Sequence, residues 1–158
     1  NRIPEIDICL DDREIWKNDK FEAKIYHIPG HTSGHICYHF FNQNILFTGD
    51  TLFSLGCGRI FEGTYEQMFS SLQLIKSFPK DTKIYCGHEY TLKNSDFCLK
   101  YDSNNSVLKE KILSIKENLT KGLPTIPSTV QEELNCNIFL RSKDIKTFSK
   151  LRDLKDNF

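Results

Sequence analysis

Apolar residues alternate with polar ones, or cluster in short runs, through the first half of the chain, and recur at helical spacing through the second. Ile3 to Leu10 has the alternation of a strand closed by Asp11-Asp12, and Phe21 to Ile28 that of a strand closed by Pro29-Gly30. His35 to Phe41 is apolar and aromatic, Asn42-Gln43-Asn44 is a turn, and Ile45 to Thr48 returns as a short strand. Gly56-Cys57-Gly58 reads as a loop. Thr64 with Gln67 has the spacing of a capping box, and Tyr65, Met68, Phe69, Leu72 and Ile75 then share a helical face until Pro79. Asp81-Thr82 turns the chain into a strand at Lys83 to Cys86.

Beyond about residue 90 the period becomes helical. Leu108, Ile112, Ile115 and Leu119 form a stripe, with Lys109, Glu110, Lys116 and Glu117 off it and Gly122 suited to the C′ position. Pro124 and Pro127 force an extended link, and Ser128 with Gln131 offers a second capping box. Phe148, Leu151, Leu154 and Phe158 line one side of a last helix, with Arg152 and Lys155 on an adjoining face. The fold class is therefore α/β followed by helices. Residues 1–90 form the α/β part and residues 91–158 a small all-helical part, with no internal repeat or low-complexity tract.

At 158 residues, 39% hydrophobic and 27% charged, the composition is that of an ordinary globular domain. Lys+Arg and Asp+Glu balance at 21 each, so nothing marks a surface for nucleic acid or anionic membrane. No apolar run approaches the roughly 18 residues of a membrane span, and no signal-peptide pattern opens the chain. The six cysteines include no Cys-x-x-Cys pair and several sit in apolar runs, which predicts reduced, mostly buried thiols and a cytoplasmic setting. A disulfide framework is the lesser alternative. The chain opens on Asn1 without an initiator Met, so the expectation is that something precedes it or that it has been trimmed.

The candidate chemistry lies at strand ends. His31 follows Pro29-Gly30, Asp50 follows Gly49, and His88 follows Gly87. Histidines at 27, 31, 35 and 39 would share a helical face, but Pro29, Gly30 and Gly34 oppose a helix there. In the strand-loop-strand reading only His31 stands in the loop, and His35 and His39 pack or hydrogen-bond within a strand. Each of the three strand-end residues alone also reads as a turn, cap or core residue. Together they suit Zn²⁺ or Fe²⁺, and a carboxylate can bridge two ions. The residues alone leave a metal site and a set of structural turn residues both open.

Four motifs carry a resemblance: His31-Thr-Ser-Gly-His35, Phe47-Thr-Gly-Asp50-Thr-Leu-Phe53, Gly56-Cys-Gly-Arg-Ile-Phe-Glu-Gly-Thr64 and Tyr85-Cys-Gly-His-Glu-Tyr90. They resemble glyoxalase II, or hydroxyacylglutathione hydrolase, of the metallo-β-lactamase superfamily. Pro124-Thr-Ile-Pro-Ser-Thr129 and the ending Leu151-Arg-Asp-Leu-Lys-Asp-Asn-Phe158 resemble its helical, glutathione-binding C-terminal domain. The resemblance covers nearly the whole chain. It implies two divalent ions, zinc above all with iron or manganese as alternatives. It gives His31 to the first ion, His88 to the second, and Asp50 the bridging, catalytic position. It assigns glutathione contacts to Arg59, Phe61, Tyr90, Arg152 and Lys155. Without it, Arg152 and Lys155 read as a solvated helix face. The activity implied is metal-assisted hydrolysis of S-(2-hydroxyacyl)glutathione thioesters, S-D-lactoylglutathione giving D-lactate and glutathione, the second step of methylglyoxal detoxification. The glutathione thiol, of ordinary pKa about 8.5, leaves as thiolate with little acid help.

The chain also departs from the pattern. No His-x-His-x-Asp-His motif supplies the family's other four ligands. The superfamily's αββα sandwich has two similar halves, and this sequence matches the second, so its sheet is expected to leave one large apolar face uncovered. The expectation is a C-terminal portion that does not catalyse alone and is a monomer when complete. Phe61 stands in place of a tyrosine, and Ile138 where proline often follows Asn137. The alternatives are a non-catalytic truncated remnant, or another metallo-β-lactamase-type hydrolase or a sulfur dioxygenase, against which Arg59, Arg152 and Lys155 argue.

Overall fold

Regular structure begins later than the N-terminal alternation suggests. The computed structural model describes residues 4–158. Residue 3 of the expected first strand lies outside these, and residues 4–10 form turns and irregular backbone. Ile6 and Ile8 are exposed there, and Glu5 has a positive φ that no strand tolerates. The edge position is taken instead by β1 (Ile15–Lys17), which the pattern did not single out because it is so short.

Then follow β2 (Glu22–His27), β3 (Ile36–Phe40), β4 (Ile45–Gly49), β5 (Leu52–Phe53), β6 (Gly56–Cys57), α1 (Tyr65–Lys76) and β7 (Lys83–Cys86). The helical part comprises α2 (Thr91–Tyr101), α3 (Ser106–Thr120), α4 (Val130–Cys136) and α5 (Ile145–Asp156), with β8 (Ser128–Thr129) before α4. A six-stranded sheet has the order β1-β2-β3-β4-β7-β8. Strands β1 to β4 are an antiparallel meander, and β7 lies parallel to β4 after the α1 crossover.

Helix α1 forms as its pattern requires. Thr64 accepts from the Gln67 N–H and the Gln67 side chain accepts in return, satisfying two orphan donors. Met68, Leu72 and Ile75 are buried against Cys37, Leu46 and Ile84 on one sheet face. The second capping box falls one residue later than expected. Thr129 pairs with Glu132, because Ser128 is drawn into β8 against Ile84. Helix α2 was not legible individually, since its N-cap Tyr90 makes no side-chain cap bond and its interior is polar. Phe97, Phe139 and Phe148 join α2 and α5 to the same core as the sheet.

The opposite sheet face is open. Trp16, Tyr38, Phe40 and Phe47, with Ile8 and Leu10, line a groove of about 540 Å³, and Phe47 keeps 43% of its surface exposed. This is the uncovered face expected of one half of the sandwich.

Candidate metal and substrate site

Strands β4 and β7 run parallel, so their carboxyl ends meet at one edge of the sheet, where α/β folds hold their ligands. Asp50 follows β4 and His88 follows β7. His31 reaches the same edge from the loop after β2. The Asp50 Oδ2 lies 3.4 Å from His88 Nε2 and 3.6 Å from His31 Nε2. The His31 Nδ1–H donates to the Arg59 carbonyl at 2.8 Å, which fixes the tautomer and turns the Nε2 lone pair toward Asp50.

Close packing holds this geometry. Gly87 donates to the Gly49 carbonyl at 2.9 Å, and a Cβ on Gly87 would sit 2.3 Å from Asp50 Oδ1. Gly49 has φ +51° and a Cβ there would strike His35 Nε2, so both glycines are required. His35 Nε2 accepts the Asp50 N–H at 3.0 Å. Burial first, and His31 beside it, hold His35 below the ordinary histidine range, which keeps the ring neutral for that role. His35 stands just ahead of β3 rather than within it. It is a hydrogen-bonding residue as expected, and no sequence signal tied it to Asp50.

One cavity of about 540 Å³ is lined by His31, Asp50, His88, Arg59, Phe61, Tyr90, Arg152 and Lys155, so every residue singled out from sequence borders it. Phe53, Lys93, Asn94 and Phe158 also line it, and sequence reasoning missed them. Tyr90 stacks on His88 at 5.0 Å, and Phe61 stands 4.9 Å from His31. Arg59 is exposed and reaches Asp156 at 3.4 Å.

Arg152 corrects the solvated-face reading. It is 3% exposed, donates to the Cys57 carbonyl at 2.7 Å and to Asp156 at 3.0 Å, and lies over Phe139. The chain folds a loop carbonyl and an aromatic ring around it, which a helical wheel does not reveal. Lys155 is half-buried between Phe97 and Phe158. Burial, and then the Arg152 charge, bring its pKa down to about 8. The loop expected at Gly56–Gly58 is instead a tight hairpin of β5 and β6 with Leu55 at positive φ in its turn.

Residues 2–88 match the family model described as metallo-β-lactamase superfamily, and residues 89–158 that described as hydroxyacylglutathione hydrolase C-terminus. A hydroxyacylglutathione hydrolase of Methylococcus capsulatus is 38% identical over all of this chain, which covers 67% of it. The chain belongs to the hydroxyacylglutathione hydrolases of the metallo-β-lactamase superfamily. The Pelagibacter ubique hydroxyacylglutathione hydrolase is 65% identical over the full chain, which spans 66% of that relative's length. The ETHE1 structure from Myxococcus xanthus shares the fold with a TM-score of 0.68 at 21% identity, over 95% of this chain and 53% of that one.

Membership in this superfamily implies divalent metal ions. Among the described residues, no three His, Cys, Asp or Glu side chains enclose a single ion. The donor set nonetheless fits part of a two-ion site, because two imidazoles face one carboxylate that can stand between two ions. The described cysteines form no disulfide, and Cys37, Cys57, Cys98 and Cys136 are buried as expected. No described helix is long and apolar enough to cross a membrane.

Proposed function

We propose that this chain carries the bridging edge and the glutathione mouth of a metal-dependent thioester hydrolase acting on S-(2-hydroxyacyl)glutathione. The observation that carries this reading is one cavity bordered both by the Asp50–His31–His88 cluster and by the cations Arg59, Lys93 and Lys155. Glutathione bears carboxylates that suit such cations.

The residues divide the work. Residues 1–90 bring the metal ligands and share the mouth with residues 91–158. His31 would hold one ion and His88 the other, with the Asp50 carboxylate, whose Oδ2 faces both imidazoles, serving both. Divalent ions held there, zinc by this reading with iron or manganese as alternatives, would supply Lewis acidity toward a thioester carbonyl and a water ionised near neutral pH. Arg59 and Lys155 bind glutathione carboxylates, and Tyr90 and Phe61 border the peptide. Arg152 shapes the wall by fixing the Cys57 carbonyl. The open apolar face is covered by the family's other half-sandwich, and the complete protein is a cytoplasmic monomer that binds neither nucleic acid nor membrane.

Thiol release measured at the protein's native length tests this reading. S-D-lactoylglutathione is expected to be cleaved at least about tenfold more efficiently than the lactoyl thioester of N-acetylcysteamine, which lacks both carboxylates. Equal efficiency would remove the glutathione assignment, and no release from either would favour the non-catalytic remnant.

A further inference from the structure

The hairpin that follows Asp50 is fastened by the helical part of the chain. Its turn spans residues 53–56. Glu133 Oε2 on α4 accepts the Leu55 N–H at 2.9 Å. It also accepts the Asn137 side-chain amide at 2.8 Å, and that amide donates to the Gly56 carbonyl at 3.1 Å. On the other flank the Asn94 amide donates to the Ser54 carbonyl at 3.1 Å. Glu133 and Asn137 are completely buried. A carboxylate without solvent is expensive, so a position that keeps one needs its acceptor geometry.

The hairpin passes this constraint to the candidate metal site. Its first strand begins two residues after Asp50, Gly58 donates back to the Thr51 carbonyl at 3.2 Å, and Thr48 holds the Leu52 carbonyl at 2.8 Å. Phe53 in the same hairpin stands 5.2 Å from Tyr90 and 6.2 Å from His88. Moving the turn would therefore disturb the segment that delivers Asp50 and the ring beside His88.

We propose that Glu133 is a positioning residue whose carboxyl oxygen, reaching from α4 to the Leu55 amide, sets the Asp50 segment for metal binding. The proposal rests on the metal-site reading above. What matters is reach rather than charge. Glu133 Oε2 takes the hydrogen bonds from Leu55 and Asn137 while Oε1 has none among the described residues, so an amide oxygen in the Oε2 position is a close substitute; burial also pushes the Glu133 carboxyl upward.

Two variants separate reach from charge. Glu133→Gln keeps an oxygen at the same distance and loses the charge. Glu133→Asp keeps the charge and pulls the oxygen back by one methylene. Each is compared with the unaltered protein at native length, well below its unfolding midpoint, by zinc competition against a chromophoric chelator and by thiol release from S-D-lactoylglutathione. Expected are zinc affinity and kcat within about twofold of the unaltered protein for Glu133→Gln. For Glu133→Asp both fall by about tenfold or more, with KM changed less than about threefold. A Glu133→Asp protein that binds zinc normally, or a Glu133→Gln protein that falls as far as it, would overturn the proposal. So would an unaltered protein that binds no zinc. If zinc binding follows this pattern while the unaltered protein releases no thiol, the positioning role stands and the hydrolase reading fails.

Discussion

The strand-end ligands and the helical mouth border one cavity but are built differently. His31, Asp50 and His88 are aimed by backbone: strand ends, a Gly87 that admits the Asp50 carboxylate, and a neutral His35 on the Asp50 amide. Arg152 and Lys155 are aimed by packing, among Phe97, Phe139 and Phe158. Backbone aiming leaves short local motifs such as Gly-Asp and Gly-His. Side-chain packing draws on residues far apart in sequence, and its cations also serve the fold.

That contrast can be broken most severely at Arg152. Its replacement by Ala leaves a void beside Phe139 and an unpaired Cys57 carbonyl. Thermal unfolding is expected to show a loss of about 2–4 kcal/mol, whereas Lys155→Ala costs less than about 1 kcal/mol. Equal losses would mean that Arg152 is no more structural than its neighbour.

Lys155 sharpens the comparison through pH. With a pKa brought down to about 8, it is a cation below that value and neutral above it. A carboxylate-binding role therefore predicts that kcat/KM falls as pH rises through about 8 in the free protein, by about tenfold per unit at the limit. In Lys155→Arg, which stays charged, this limb disappears. A limb unchanged by that substitution belongs to another group.

The smallest effect is expected at Phe61, which is 69% exposed beside His31. Phe61→Tyr restores a hydroxyl at the mouth and should lower KM for the glutathione thioester by about two- to fivefold with kcat unchanged. An unchanged KM would place the ring outside the peptide's reach.

Much of this was legible in the sequence, unevenly. Strands β2, β3, β4 and β7 and helix α1 follow from alternation, turn residues and a capping box, because those signals are local. Ile6 and Ile8 alternate like strand residues yet find no strand to pair with, so the pattern there misled. Strands β1 and β8 and the hairpin of β5 and β6 are two or three residues each, and only tertiary pairing creates them. At the site, His31, Asp50 and His88 were visible as strand-end residues, whereas the roles of His35, Phe53 and Glu133 depend on contacts across the fold. Arg152 was noticed, but its burial could not be read from a helix whose Lys146, Lys150 and Asp153 face solvent.

The most direct test of the account is thiol release from S-D-lactoylglutathione by the protein at native length, loaded with zinc, beside its Asp50→Asn variant. Asparagine keeps the shape but not the negative charge that faces the two imidazoles. The account predicts a kcat lower by at least about 100-fold, with KM for the glutathione thioester within about threefold, because Arg59 and Lys155 remain in place. An Asp50→Asn protein that releases thiol at the unaltered rate would contradict it.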